Sequence, residues 1–75
     1  MTVTVKLIGG VAHAAGFHEK AVALAERTTV AQLLEQVHVG KTRPTIVTRN
    51  GRAVAPSDLL EDGDRLVVAP IFSGG

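Results

Sequence analysis

Apolar and polar residues alternate without a break over "TVTVKL": Val3, Val5 and Leu7 fall on one face, and Thr2, Thr4 and Lys6 on the other. A period of two predicts a strand with one buried face. The glycines Gly9, Gly10 and Gly16 then loosen "IGGVAHAAGFHE" into a turn or short irregular segment. "HEKAVALAER" fits two periods. In steps of two, Val22 and Leu24 share a face, as in a second strand pairing with the first; at helical spacing Phe17, Ala21, Leu24 and Ala25 form a stripe, and the alanines favour helix. The neighbouring segment decides for strand. In "TTVAQLLEQVHVG", Thr29 stands three residues before Gln32, the spacing of a capping box, and Val30, Leu33, Leu34 and Val37 recur at i, i+3, i+4 and i+7, with Gly40 placed to end the helix. A helix that begins afresh at Thr29 is at odds with ten helical residues just before it.

The second half of the chain is strand-like. β-Branched residues run from Thr45 to Thr48, Asn50 and Gly51 supply the positive φ angles of a tight turn, and Arg52 to Val54 return as a hairpin. "PSDLLEDGD" reads as a surface turn, with room for one helical winding that buries Leu59 or Leu60. In "RLVVAPIF" Leu66 and Val68 face one side and Val67 and Ala69 the other, so both faces are apolar, as in a central strand. The order strand, strand, helix, strand, strand, strand closes as an α+β fold. The last strand lies beside the first in a mixed sheet, and the apolar stripe of one main helix covers a face. No repeat, linker or low-complexity stretch interrupts it.

Composition narrows the possibilities. Seventy-five residues, 45% hydrophobic and 20% charged, with a mean hydropathy of +0.25, suit one small folded domain. A net charge of +1, two Phe, no Tyr and no Trp offer little steering toward nucleic acid and few platforms for stacking bases. The absence of cysteine excludes a disulfide scaffold, a zinc ribbon and a thiol nucleophile, so any sulfur chemistry must use sulfur brought from elsewhere. No apolar run approaches a membrane span, and "MTVTVKLIGG" lacks the layout of a secretory signal, so the expected location is cytoplasmic and no membrane partner is expected.

Side chains supply little chemistry. His13, His18 and His38 share no ligand spacing and are expected to be solvent-exposed; no metal site is predicted. Asp58, Glu61, Asp62 and Asp64 lack the pattern of a calcium loop and read as a solvated turn. Ser57 after Pro56 looks like turn chemistry, Ser73 has no evident catalytic partners, and "LIGG" lacks the rest of a phosphate loop.

What remains is "IFSGG". Gly9 and Gly10 form the same dipeptide inside the chain, where a turn accounts for them; Gly74 and Gly75 have no turn to make. They come after a strand placed at the centre of the sheet. Pro70 stiffens the exit and cannot donate a ladder hydrogen bond. Ile71 and Phe72 could pack on the core or serve as a docking anchor, and Ser73, Gly74 and Gly75 make a strip thin enough for a narrow channel. A free terminal carboxylate is ionised at neutral pH and is a poor electrophile. Activation as an acyl-adenylate, by a partner that uses ATP, would let a sulfur nucleophile displace the adenylate.

Taken together, "VKLIGGVAHAAG", "TTVAQLLEQV", "RNGRAV" and above all "LLEDGDRLVVAPIFSGG" resemble, over nearly the whole chain, the ubiquitin-like sulfur carriers of molybdopterin and thiamine biosynthesis (MoaD/ThiS-like). The resemblance implies a β-grasp domain over residues 1–70 and an extended tail over 71–75. It implies that Gly75 is adenylated by a ubiquitin-activating-enzyme-like partner and becomes a thiocarboxylate, with Gly74 giving the flexible approach. Pro70, Ile71, Phe72 and Ser73 would line a partner's channel, and a sulfur-accepting synthase subunit would consume the sulfur. The protein would bind no cofactor and be a carrier, not an enzyme. Molybdopterin is the first expected recipient and thiamine thiazole the second, although Ala69, Pro70, Ile71 and Phe72 keep only one of the two prolines common in the molybdopterin branch. The alternative is a ubiquitin-like protein modifier, or a donor for tRNA thiolation, acting through the same terminus.

Overall fold

The computed structural model describes residues 1–39 and 45–71, apart from the Ala14 side chain. Five strands form one sheet: β1 (Thr2–Leu7), β2 (Glu19–Ala23), β3 (Thr45–Arg49), β4 (Arg52–Ala53) and β5 (Arg65–Pro70), in the order β2-β1-β5-β3-β4. β5 runs parallel to β1 and antiparallel to β3, so the last strand is central and the sheet is mixed. The alternation in β1 sends Val3, Val5 and Leu7 inward, where they meet Val22 of β2, Leu66 and Val68 of β5 and Val47 of β3. Val67 and Ala69 are only half-buried, because the helices cover one face of β5 and leave the other partly open. The strand reading of the ambiguous segment holds in β2, where Val22 pairs with Val3 and Ala21 with Thr4. Cross-strand burial outweighs the helical preference of its alanines there.

Helix α2 (Val30–Gln36) is built as its first turn prescribes. The Thr29 hydroxyl accepts from the Gln32 N–H at 3.2 Å, and the Gln32 side chain accepts from the Thr29 N–H at 2.9 Å. Val30 and Leu33 point into the core, joined by Val37 just beyond the last turn. The helix ends earlier than expected. Position 40 lies outside the described residues, and the left-handed residue that closes α2 is His38, at φ 60°. The His38 N–H donates to the Glu35 carbonyl at 3.1 Å and the Val39 N–H to the Leu34 carbonyl at 2.9 Å. This is a Schellman closure with histidine where glycine is usual.

Two other expectations are corrected. Residues 10–15 are a short helix, α1 (Gly10–Ala15), not an irregular turn, with Val11 and Ala12 buried in the core. That burial stabilises a glycine-flanked winding whose own propensity is poor. Residues 56–60 contain turns and no helical winding. Instead Leu59 bridges to Thr29, and the Leu60 N–H donates to the Thr28 carbonyl at 2.9 Å. This extended pairing separates the two leucines: Leu60 is 4% exposed and Leu59 47%.

The acidic turn before β5 is also more than solvated surface. Asp62 accepts from the Thr2 N–H at 2.7 Å, the Gly63 N–H donates to the Thr2 carbonyl at 2.8 Å, and the Thr4 N–H donates to the Asp64 carbonyl at 2.9 Å. Asp64 itself is buried, and its carboxylate accepts from the Glu61 N–H at 2.7 Å. The turn therefore clasps the start of β1 and launches β5 alongside it.

Candidate functional site

Of the residues singled out by sequence, Pro70 and Ile71 lie at the end of β5. Val68 is fully buried between β1 and β3, paired with Leu7 on one side and Val47 on the other. Pro70 is the last residue of the strand, opposite Thr45 of β3. The Ile8 N–H donates to the Val68 carbonyl at 3.0 Å. In a parallel ladder the next bond on that side would come from the N–H of residue 70, and proline has none. Pairing with the β1 segment therefore stops at that residue, as the sequence predicted. Ile71, just past the strand, is 52% exposed and is not packed into the core. Phe72, Ser73, Gly74 and Gly75 lie outside the described residues.

Sequence reasoning missed what surrounds this exit. Ile46 pairs with Ala69 across β3 and β5, and Ile8 comes directly after the Leu7–Val68 pair on the other flank. Ile8, Ala69 and Ile46 thus form a row across three strands on the face away from α2. Ile8 is 45% and Ile46 46% exposed, beside half-buried Val67. Exposed aliphatic residues grouped at one place are more informative than scattered ones. Further along the same face, Lys6 of β1 lies opposite Glu19 of β2 and Val67 of β5, and Thr4 lies opposite Arg65. These residues line a shallow polar groove. The signal in the sequence was the pair of isoleucines at non-core positions, but their adjacency depends on register between strands distant in the chain.

Other chemistry is sparse. His13, His18 and His38 are all exposed. Among the described residues, no group of three or more His, Cys, Asp or Glu side chains is arranged so that it could hold a metal ion. None of their helices is long and apolar enough to cross a membrane. Buried side-chain nitrogen and oxygen atoms among them all have hydrogen-bond partners.

Comparison with known proteins gives this geometry a context. The structure is similar to that of SAMP1, a small archaeal modifier protein from Haloferax volcanii, at 25% identity over 100% of both chains and a TM-score of 0.82. It is similar to a protein from Pyrococcus furiosus assigned as molybdopterin converting factor subunit 1, at 26% identity over 93% of this chain and 97% of that one, with a TM-score of 0.82. A complex of subunits 1 and 2 of molybdopterin-converting factor from Helicobacter pylori contains a chain of the same fold, at 16% identity over 100% of both chains and a TM-score of 0.69. No curated protein sequence matches the chain. The fold is the β-grasp of ubiquitin-like proteins. The model of the ThiS family matches residues 5–75, and on that match the chain belongs to the ThiS family, among the ubiquitin-like sulfur carriers.

Proposed function

We propose that this protein carries sulfur on the carboxyl group of Gly75 for a biosynthetic partner. The observation that supports this reading most is the extent of the family match, which runs through Gly75 and so includes the whole tail. The chemistry divides between chains. A partner aligns the carboxylate with ATP; the carboxylate oxygen attacks the α-phosphorus, and pyrophosphate leaves. Hydrosulfide, or a persulfide whose S–S bond a thiol then cleaves, attacks the acyl carbon. AMP departs with its electron pair, and sulfur replaces one carboxylate oxygen. This chain contributes the reactive end and its presentation, and acts as co-substrate; its partners supply the catalysis and the ATP site.

Presentation is a consequence of the fold. β5 is held on both sides, so Pro70 and Ile71 leave from a rigid base. Gly74 and Gly75 carry no side chains to obstruct a narrow channel. The two partners, an adenylating enzyme related to ubiquitin-activating enzymes and a sulfur-accepting synthase subunit, would each reach Gly75 past the row of Ile8, Ala69 and Ile46. Molybdopterin is the first recipient we propose, supported by the likeness to the Pyrococcus protein, and thiamine thiazole the second. Intact mass after incubation with the adenylating partner, ATP and sulfide tests the carrier chemistry. An oxygen-to-sulfur exchange confined to the last residue is expected, and its absence, with no adenylate trapped, would refute it. Supplying the thiocarboxylate form to a dithiolene-forming and to a thiazole-forming synthase then separates the recipients.

The likeness to SAMP1 favours a second reading, a protein modifier joined through Gly75 to a lysine amine, and a donor for tRNA thiolation would use the same activated end. Tagged protein in cells would then appear as a ladder of conjugates. Free protein alone would count against conjugation.

A further inference from the structure

The internal glycine pair, which the carrier chemistry does not use, sits where the tail leaves the sheet. Gly9 has φ 64° and ψ −139° and caps α1 without a side-chain bond. Its carbonyl accepts from the Ala12 N–H at 3.1 Å and the His13 N–H at 3.4 Å, which turns the chain out of the sheet one residue after the Ile8–Val68 bond. A Cβ placed on Gly9 would meet the Pro70 ring, at 3.6 Å from Cγ and 3.8 Å from Cδ. The Pro70 ring thus lies within ordinary van der Waals reach of the place a side chain at Gly9 would occupy, on the side where the proline has ended the ladder. At this φ an L side chain is strained wherever it points. An L residue relieves the strain by rotating φ toward negative values, which moves the start of α1 and the support under Pro70.

We infer that Gly9 is a positioning residue for the tail: its positive-φ turn fixes the direction in which Pro70 and Ile71 leave the sheet. Its consequence for turnover rests on the carrier reading; its consequence for geometry does not. Gly9 lies outside the tail, and its effect passes through the close approach of its turn to Pro70. A reactive end must be delivered to its partner within about an ångström, and errors of that size cost up to about a hundredfold in rate.

The test compares three chains: the unaltered protein, Gly9→Ala, and a synthetic chain with D-alanine in place of Gly9. D-Alanine accepts the observed φ and ψ without strain and directs its methyl away from the Pro70 ring. Residual dipolar couplings read the orientation of the Ile71 amide against those of β1 and β5, with no partner present. The Ile71 coupling is expected to depart from the sheet's alignment in Gly9→Ala and to keep its original value with D-alanine. ATP–pyrophosphate exchange, using an adenylating enzyme active on the unaltered chain, reads turnover well below each melting temperature. Gly9→Ala is expected to lower kcat by about tenfold or more, with KM within about twofold, and D-alanine to restore it. A purely structural role would lower the melting temperature and leave both readouts alone. An unchanged Ile71 coupling in Gly9→Ala, or the same loss with D-alanine, overturns the assignment. If no enzyme activates the unaltered chain, the carrier reading fails while the coupling measurement still decides this one.

Discussion

Asn50 and Arg65 exchange two hydrogen bonds: the Asn50 N–H donates to the Arg65 carbonyl at 2.8 Å, and the Arg65 N–H donates to the Asn50 side-chain oxygen at 3.0 Å. The tip of the β3–β4 hairpin is thereby fastened to the start of the strand that carries the tail. Asn50 also holds φ 52°, with Gly51 next at φ 87°, the paired positive angles of a type I′ turn. Two roles at one residue make its substitutions separable. Asn50→Gly keeps the turn and loses the side-chain bonds to Arg65 and Asp64, so about 1–2 kcal/mol is expected. Asn50→Ala loses the bonds and the turn, so about 2–3 kcal/mol is expected. Urea unfolding with an unchanged m-value measures the difference; equal costs would mean that the positive φ at position 50 costs alanine nothing.

The buried carboxylate next to this turn couples to it. Asp64 accepts from Glu61, lies 3.4 Å from the Asn50 amide nitrogen and 3.8 Å from the Arg49 guanidinium. Asp64→Ala would strip the Glu61 N–H of its partner, at a cost of about 1–3 kcal/mol. Because Asn50 and Asp64 share one network, the double variant should cost less than the two single costs added, by at least about 0.5 kcal/mol. A double-mutant cycle in chemical unfolding gives the number, and strict additivity would remove the network.

His38 offers a substitution in the stabilising direction. It occupies the left-handed position of the Schellman closure of α2 at φ 60°. Glycine there avoids the steric cost of a Cβ, so His38→Gly is expected to gain up to about 1 kcal/mol. In a domain of this size that corresponds to a rise of about 4–8 °C in Tm, read by thermal unfolding. No rise would mean that the histidine ring makes compensating contacts.

The isoleucine row should matter to partners and little to stability. Ile46→Glu places a charge on a side chain that is 46% exposed, so the stability change should stay within about 0.5 kcal/mol. Steady-state adenylation should show KM raised by about tenfold, with kcat nearly unchanged, as expected for lost docking energy. An unaltered KM would move the docking surface elsewhere.

Sequence made some of this legible because the controlling forces are local. The Thr29–Gln32 capping box, the Asn50–Gly51 turn and the alternation of β1 depend on residues a few positions apart, and each is present as read. The centrality of β5 was evident from its two apolar faces. α1 was hidden because it has glycine as its N-cap and owes its order to the burial of Val11 and Ala12 under distant strands. Asp64 looked like one of several surface acids because its partners Arg49 and Asn50 belong to another hairpin. Of the site, the composition of the tail was readable, whereas the row of Ile8, Ala69 and Ile46 and the approach of Gly9 to Pro70 exist only once the strands are in register.

The parallel placement of β5 beside β1 has a mechanical side. A pull on Ile71 along the axis of β5 would act on a strand bonded on both sides. The bonds to β1 and β3 lie across that axis, so the load falls on them in shear and together, with no single rung peeled open first. The same strand on an edge, pulled away sideways, would unzip bond by bond. The sheet would therefore act as an anchor: force applied at Ile71 is shared among the bonds of two neighbouring strands without tearing the domain that holds it.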